Sequence, residues 1–293
     1  NAKYAEELFF KYHRLFDGYN EYEDTVNVYS INRLASKKTV KVPEELFNLL
    51  SLCKEEQLKL NNTLNIAMGT VLKLWHDARE FSLENPKEAY IPAIEDLFEA
   101  SKHTDMDDVV LNANDNTVFF KDPDLQLNVG AVAKGYATEL VAQALLKSDM
   151  PSFIINAGGN VRTGHPPLDG RDNWGVGLQD PDNTSQVFET LFLHDKSVVT
   201  SGDYQRFFEV DGKKYHHIIS PDTLLPANAM RSVTIVTEDS ALADMLSTAL
   251  FIMPFEEGYK FIKERPDVGV VWYLTDGTIV ITDNLKKTVG SLM

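Results

Sequence analysis

Two oxygen-bearing side chains lie inside one of the most apolar stretches of the sequence. Asp244 and Thr248 are four residues apart in the run ALADMLSTALFI, which predicts a helix with both side chains on one face. A carboxylate in such surroundings is costly unless it is paired or bound to a cation. A carboxylate, a hydroxyl, a backbone carbonyl and phosphate oxygens would form the all-oxygen ligand set that suits Mg²⁺. The alternative is a carboxylate paired with an arginine or a backbone N–H.

Two basic side chains could act on a phosphorylated ligand. His217 lies at the end of a predicted strand shortly before Pro221. An imidazole beside a phosphorylated ligand can act as a general base, whereas a strand histidine can also be purely structural. Lys134 falls in the first turn of a predicted helix, where it either neutralises a phosphate or is simply solvated.

Glycine-bearing turns follow two predicted strands in the stretch Leu127–Gly164. Gly130 and Gly135 bracket the first turn, and Gly158 and Gly159 form the second. Glycine lets the backbone turn tightly and lets a ligand approach closely, and the free N–H groups at a helix N-terminus bind anions. The stretch has neither the G-x-G-x-x-G nor the Walker spacing. It therefore predicts either a cradle for a phosphate or pyrophosphate or two plain turns.

Helices and strands alternate around these residues. Helical patterns cover Ala5–Phe16, Pro43–Leu60, Ile66–Glu80, Pro86–Ala100, about four turns between Gly135 and Pro151, Ala241–Met253 and Glu256–Lys263. Strand patterns cover a hairpin in Val109–Lys121, then Phe153–Ile155, Asn173–Gln179, Val187–Thr200, a short strand through Phe208, Val233–Val236 and Val268–Ile281. A turn at Asp17–Asn20 carries Tyr19, which either packs on the surface or covers a planar ligand.

Composition bounds the classes of partner. The chain has 293 residues, 43% of them hydrophobic, which is enough for a large core. Its formal net charge of −16 argues against nucleic acid or an anionic lipid surface as the main partner, so an anionic ligand needs a metal ion or aimed N–H groups. No apolar run approaches the roughly 18 residues of a membrane span. The single cysteine, Cys53, is interpreted as a small core residue.

Ordered motifs along most of the chain resemble those of the ApbE-type flavin transferases, the FAD:protein FMN transferases. The segment LNVGAVAKGYA at Leu127–Ala137 is similar to the family signature L-D-[LV]-[GS]-[GA]-[IV]-A-K-G-[YW]. The other motifs occur in family order: Ser30–Asn32, NIAMGTVLKLW at 65–75, NAGGN at 156–160, WGVGLQDP at 174–181, TSGDY at 200–204, HHIISP at 216–221 and ADMLSTAL at 243–250. The resemblance implies an α+β fold, with residues 1–293 forming one large layered domain of T-fold-like type.

The resemblance also implies an activity and a site. Such an enzyme transfers the FMN half of FAD to a threonine or serine hydroxyl of an acceptor flavoprotein and releases AMP, with Mg²⁺ as cofactor. The implied metal ligands are Asp244, Thr248 and the carbonyl of Ala131, with Ser247 at the edge. The implied flavin contacts are Tyr19, Thr63, Leu64, Asn65, Asn128, Lys134, Gly158, Gly159, His217 and Ile218. His217 would also accept the proton of the acceptor hydroxyl. Two alternatives stay open, a FAD pyrophosphatase that releases FMN and AMP, and a non-catalytic flavin-binding carrier.

Several positions depart from the family pattern. Asn128 replaces the usual Asp, Leu224 replaces the Gly of H-I-x-D-P-x-T-G, Ser220 replaces its Asp, and Asn61 and Asn62 replace glycines. The family generally opens with a strand ahead of the first helix, so we expect a segment upstream of Asn1. Members commonly work outside the cytoplasmic membrane, tethered by an N-terminal lipid. We therefore expect a lipoprotein anchored to the outer face of that membrane.

Overall fold

The computed structural model describes residues 2–290, in which helices and β-sheets are mixed. The α+β prediction is confirmed. The helices are α1 Ala2–Phe16, α2 Val28–Leu34, α3 Glu44–Lys59, α4 Gly69–Glu84, α5 Ile94–Ser101, α6 Ala133–Leu146, α7 Ser240–Ile252 and α8 Phe255–Lys263. The strands are β1 Val40–Lys41, β2 Val109–Asn112, β3 Thr117–Phe120, β4 Ile154–Ala157, β5 Asn160–Thr163, β6 Trp174–Gln179, β7 Val187–Leu193, β8 Ser197–Gly202, β9 Phe207–Val210, β10 Lys213–His216, β11 Met230–Thr237, β12 Gly269–Leu274 and β13 Ile279–Ile281.

The chain folds into two compact units. The first unit comprises Asn1–Phe9, Val132–Gln205 and Ala227–Met293, and the second comprises Phe10–Ala131 and Arg206–Pro226. The chain therefore leaves the first unit and returns to it twice. A single large domain over residues 1–293 stays a prediction.

An antiparallel sheet forms the centre of the first unit. Its strand order is β13-β12-β11-β8-β5-β4. The hairpin β6-β7 packs on the sheet through a buried apolar cluster that includes Val176, Leu191, Val198 and Val236. Helix α7 packs against β8 and β11, and α6 packs against α7 and β5. Helix α7 carries apolar residues almost all round and is buried, and it holds the predicted metal ligands Asp244, Ser247 and Thr248.

Helices and two small sheets form the second unit. The sheets have the orders β1-β3-β2 and β10-β9. The buried core includes Val71, Trp75, Leu97, Phe208 and Leu224, so residues from α4 and α5 pack with β9 and the loop that follows β10. The indole N–H of Trp75 donates to the carbonyl oxygen of Leu224 over 2.9 Å, which fixes that loop on the helix.

The predicted helix Pro86–Ala100 is wrong in its first half. The structure has one short 3₁₀ turn at Pro86–Glu88, an extended stretch, and then α5 from Ile94. Pro92 explains the break, because proline lacks an N–H and forces the preceding residue into an extended conformation. The strand predicted before Gly130 is absent, since residues 121–129 form turns and loop with a single bridge at Gln126. The other predicted helices and strands are present, with ends shifted by a few residues.

Tertiary contacts explain two differences from the predicted helices: one helix starts later than predicted, and one helix was not predicted. Helix α4 begins at Gly69 rather than Ile66, because Met68 forms a parallel bridge with Gln126 and the Gly69 N–H donates to the Gln126 carbonyl over 2.9 Å. The hydrophobic periodicity of the sequence does not predict helix α2. This helix is capped by the buried Asn27, and its Asn32 bonds both the N–H and the carbonyl of Leu127.

Two predictions from composition concern the membrane and the cysteine. Within residues 2–290, no helix combines the length and the apolar character that crossing a membrane requires. Anchoring by an N-terminal lipid stays a prediction. Cys53 is 2% exposed, which confirms its place in the core.

Candidate functional site

Helix α7 carries the buried carboxylate of Asp244 in the first unit. The helix starts after Asp239, whose side chain caps it by accepting from the N–H groups of Ala241 and Leu242. Asp244 lies one turn further on and is 3% exposed. Its Oδ2 accepts a hydrogen bond from the backbone N–H of Gly135 over 2.8 Å. Of the alternatives that the sequence left open, the pairing with a backbone N–H is therefore present.

Gly135 acts in packing rather than in a turn, which corrects the prediction. It is the third residue of α6, where a helix still has a free N–H. A Cβ atom at this position would lie 2.2 Å from the Ser240 carbonyl oxygen and 2.5 Å from the Asp244 Cβ. Only glycine lets the start of α6 approach α7 closely enough for its N–H to reach the carboxylate.

Lys134 and Asn160 complete the surroundings of Asp244. The Lys134 ammonium donates to Asn160 Oδ1 over 3.0 Å and lies 3.8 Å from Asp244 Oδ1. Burial raises the pKa of Asp244, while the charge of Lys134 and hydrogen bonds from Gly135 and Asn160 oppose the rise. The positive end of α6 also favours a negative charge here. Lysine and the helix N-terminus together stabilise the anionic carboxylate.

Two hydroxyl groups, those of Ser247 and Thr248, follow one turn along α7, and a third, that of Ser201, comes from β8. Ser247 Oγ donates to the backbone carbonyl of Asp244 over 2.9 Å, and Ser201 Oγ lies 2.9 Å from Ser247 Oγ and 3.3 Å from Thr248 Oγ1. These hydroxyls and the Asp244 carboxylate are all oxygen donors, one of them anionic. The donor set therefore fits a hard divalent cation such as Mg²⁺.

Gly158 and Gly159 form the two-residue turn between β4 and β5. Their φ angles are +61° and +95°, in the left-handed region where glycine is favoured, so the turn prediction is confirmed. The Gly159 N–H donates to Asn156 Oδ1 over 3.0 Å. Flavin binding by this pair stays a prediction, although the turn leads directly into Asn160.

His217 lies just after β10 in the second unit. Its backbone N–H donates to the Arg206 carbonyl over 3.2 Å. The residue is exposed, yet desolvation by the surrounding atoms, followed by the positive charge of Arg206 and the proximity of His216 and Arg79, lowers the pKa of His217 to about 4. The ring is therefore neutral at pH 7 and free to accept a proton.

The remaining residues predicted to contact flavin lie in the second unit, where the Asn128 N–H donates to the Ile66 carbonyl over 2.7 Å and so places Asn128 next to residues 63–65. The Tyr19 ring is 58% exposed and its centroid lies 4.9 Å from that of His76. Asn128 folds its side chain onto the Gly130 N–H over 2.9 Å. Asn65 uses both polar atoms within the protein, because it donates to the Thr104 carbonyl and accepts from the Ala67 N–H, each over 2.8 Å. Of the other predicted residues, Leu64 and Ile218 are buried, whereas Thr63 and Ala131 are partly exposed.

Three departures from the family pattern occur where the backbone is left-handed. Asn61, Asn62 and Leu224 have φ angles of +50°, +60° and +60°. Asparagine tolerates this conformation, so Asn61 and Asn62 can follow the backbone path that glycine would allow. Leucine does not tolerate it easily, so Leu224 is held by its buried contacts and by the bond from Trp75.

One group of typical metal ligands occurs among the described residues, and it contains none of the predicted site residues. His103, Asp122 and Asp124 in the second unit each offer a ligand atom within 4.8 Å of the others. His103 Nδ1 and Asp122 Oδ2 already form a hydrogen bond of 2.8 Å.

Sequence reasoning missed several residues around the predicted ones. Asn160 and Ser201 lie in the motifs NAGGN and TSGDY, so their motif membership was a usable signal. Gly135 lies in the motif LNVGAVAKGYA, so its position was signalled, but its contact with Asp244 was not. Arg206, which helps to lower the pKa of His217, gave no such signal, because its role depends on contacts made by the folded chain.

Comparisons with known proteins agree with this architecture. The model of the ApbE family matches residues 3–272. A Klebsiella pneumoniae protein named FAD:protein FMN transferase is 31% identical over 278 residues, covering 92% of this chain and 84% of the relative. A Treponema pallidum protein of the same name is 33% identical over 261 residues, covering 84% and 70%.

Solved structures show the same similarity in three dimensions. The crystal structure of the ApbE protein from Thermotoga maritima has a TM-score of 0.86 and 30% identity, covering 98% of this chain and 90% of that chain. The flavin transferase ApbE from Vibrio cholerae has a TM-score of 0.82 and 23% identity, covering 98% and 89%, and shares the fold. Sequence and structure together place this chain in the ApbE family.

Proposed function

We propose that this protein is a FAD:protein FMN transferase. It would transfer the FMN half of FAD to a threonine or serine hydroxyl of an acceptor flavoprotein, with AMP as the leaving group. The observation that carries the proposal is the Asp244 carboxylate, which is buried against a helix N-terminus with the hydroxyls of Ser247 and Thr248 one turn away. Relatives that bear this activity in their names support it.

Asp244, Ser247 and Thr248 would hold the Mg²⁺ ion in this proposal. The chemistry that a bound ion would supply there is neutralisation of the negative charge on the FAD pyrophosphate during cleavage of the P–O bond. The Gly135 N–H binds Oδ2 of Asp244, so Oδ1 is the oxygen that remains for the cation. The Lys134 ammonium, 40% exposed, can contact phosphate oxygens without leaving the neighbourhood of Asn160. A carbonyl ligand from Ala131 is a further part of the proposal.

His217 would accept the proton of the acceptor hydroxyl. A general base must be unprotonated at the working pH and accessible to the second substrate. His217 is an exposed residue, and its pKa of about 4 leaves the imidazole neutral at pH 7, so it meets both requirements. Desolvation, followed by the positive charge of Arg206, lowers this pKa, and the same charge would also favour an approaching phosphate.

The proposal is tested by incubating the full chain with FAD, Mg²⁺ and a candidate acceptor flavoprotein that has an exposed threonine. Intact mass of the acceptor and released AMP are measured together. We expect a mass gain equal to FMN and matching AMP, both abolished in Asp244→Ala and reduced at least about a hundredfold in His217→Ala. His194→Ala is the matched control, since His194 is a surface histidine bonded to Asn173, and it should keep full activity.

Two outcomes would overturn the proposal in favour of the alternatives. AMP release with FMN found free in solution, and with no mass gain for a panel of acceptors, would indicate a FAD pyrophosphatase. Tight binding of FAD without AMP release in either Mg²⁺ or Mn²⁺ would indicate a flavin carrier.

A further inference from the structure

Helices α6 and α7 each satisfy one free N-terminal N–H group of the other. The N-cap residue of α6, Val132, has no capping side chain, and the Gly135 N–H instead donates to Asp244 Oδ2 from α7 over 2.8 Å. In return, the N–H of Ser240, the first residue of α7, donates to Glu139 Oε2 from α6 over 2.9 Å. Each helix start thus binds a carboxylate of the other helix, where the helix dipole favours negative charge.

The two contacts form a ladder with fixed spacing. Gly135 and Glu139 are one helical turn apart on α6, and Ser240 and Asp244 are one turn apart on the antiparallel α7. The two hydrogen bonds are therefore two rungs separated by one turn. Sliding α7 along α6 would break both rungs together, so the Glu139 rung fixes where the Asp244 carboxylate can lie.

Strand β5 supports both rungs. Its Asn160 accepts from Lys134 beside the Asp244 rung. Its Arg162 lies with Nε 3.2 Å from Glu139 Oε2 in the other rung, and the side chains of Arg162 and Glu139 are only 4% and 13% exposed. The second oxygen of Glu139 accepts from Gln143 Nε2 over 2.7 Å. Glu139 is thus held by a strand, by its own helix and by the start of α7.

We propose that Glu139, locked by Arg162, is a positioning residue that holds α7 in the register required for cation binding by Asp244. Glu139 does not itself contact substrate or metal. This inference rests on the proposed function. Removing Glu139 would leave every proposed metal ligand in the chain but release the rung that orients Asp244, and it would remove the carboxylate that forms a salt bridge with the buried Arg162.

The test measures Mn²⁺ binding by the full chain without FAD. Dissociation constants are determined for the unmodified protein, Glu139→Ala, Glu139→Gln and Asp244→Ala, each well below its own melting temperature. Residues that orient metal ligands from outside the coordination sphere typically change metal affinity by about 10- to 100-fold. We expect Glu139→Ala to weaken Mn²⁺ binding about tenfold or more. The Mn²⁺ affinity of Glu139→Gln should lie between those of the unmodified protein and Glu139→Ala, since the glutamine amide oxygen can still accept from the Ser240 N–H.

Gln143→Ala is the matched control. It removes one hydrogen bond from the same carboxylate on the exposed side of α6 but leaves the rung to Ser240 in place. Its Mn²⁺ affinity should stay within about twofold of the unmodified protein, because no contact between the helices is lost. A fall as large as that of Glu139→Ala would mean that general loosening of α6 causes the effect.

Hydrogen exchange separates failure of this inference from failure of the proposed function. We expect faster exchange of the Gly135 amide in Glu139→Ala than in Gln143→Ala, with or without metal. Unchanged Gly135 exchange, or Mn²⁺ binding by Glu139→Ala within twofold of the unmodified protein, would overturn the positioning role. Mn²⁺ binding that survives unaltered in Asp244→Ala would instead overturn the metal site of the proposed function.

Discussion

Replacing Gly135 with alanine tests the close approach of α6 and α7, because helix propensity and packing predict opposite changes in the free energy of unfolding. Intrinsic helix propensity favours alanine over glycine by about 1 kcal/mol inside a helix. The structure opposes this, since the new Cβ would lie 2.2 Å from the Ser240 carbonyl oxygen and 2.5 Å from the Asp244 Cβ. Both are parts of a buried helix and cannot move aside as a flexible side-chain tip could.

The size of the effect follows from what the helices must do to separate. Overpacking a core typically costs about 1–3 kcal/mol. Weakening the hydrogen bond from Gly135 to the buried Asp244 carboxylate adds about 1.5–3 kcal/mol. After subtracting about 1 kcal/mol of helix propensity, the expected loss is about 1.5–5 kcal/mol. At about 2–4 °C per kcal/mol for large domains, the melting temperature should fall by at least about 3 °C.

Differential scanning calorimetry of Gly135→Ala beside Gly258→Ala provides the assay. Gly258 is also buried within a helix, but its added Cβ would first meet the end of the Leu250 side chain at 3.2 Å, which can shift. Gly258→Ala should therefore be neutral or raise the melting temperature slightly. If the melting temperature of Gly135→Ala also rises, α6 and α7 have room for a Cβ atom at this contact, and the reasoning about their close approach is wrong.

Three further predictions concern single residues. Leu224→Gly should be less destabilising than Leu224→Ala by about 1 kcal/mol in urea unfolding, since alanine keeps the strain of the left-handed backbone; the usual order, glycine worse than alanine, would contradict this. The His217 ring should titrate near pH 4 by NMR, and Arg206→Gln should raise that pKa; a midpoint near 6.5 would refute the environment described. Since the unfolded chain then binds more protons between pH 6.5 and 4, the free energy of unfolding contributed by His217 falls as pH drops through that window. Cys53 is buried and burial raises its thiol pKa, so an aromatic disulfide reagent should label it only after unfolding; rapid labelling of the folded protein would contradict its burial.

Local pattern predicted most elements of the fold. The hairpin in Val109–Lys121 forms as β2 and β3, with Asn116 in the left-handed conformation that its turn requires. The prediction failed where a local signal was overlooked, as at Pro92, and where distant residues decide the ends of an element. Gly69 starts α4 because its N–H pairs with Gln126, a contact that no periodicity can reveal.

The candidate site likewise has features that the sequence predicted and features that only the folded chain shows. An Asp in the apolar run that becomes α7 had to be paired, and the sequence limited its partner to a cation, an arginine or an N–H. The structure selects Gly135 and Lys134 as its neighbours. The low pKa of His217 likewise depends first on desolvation by the folded chain and then on the charge of Arg206, and residue type alone determines neither.

The sequence by itself determined the order of helices and strands, the family resemblance and the presence of an oxygen-rich pair in a buried helix. These are properties of residues close together in the chain, where period and motif carry the information. Only the tertiary structure decided which N–H meets which carboxylate, because Gly135 and Asp244 are separated by 109 positions, and Glu139 and Ser240 by 101. Such pairings depend on the packing of α6 against α7, and a glycine at one helix start is what permits it.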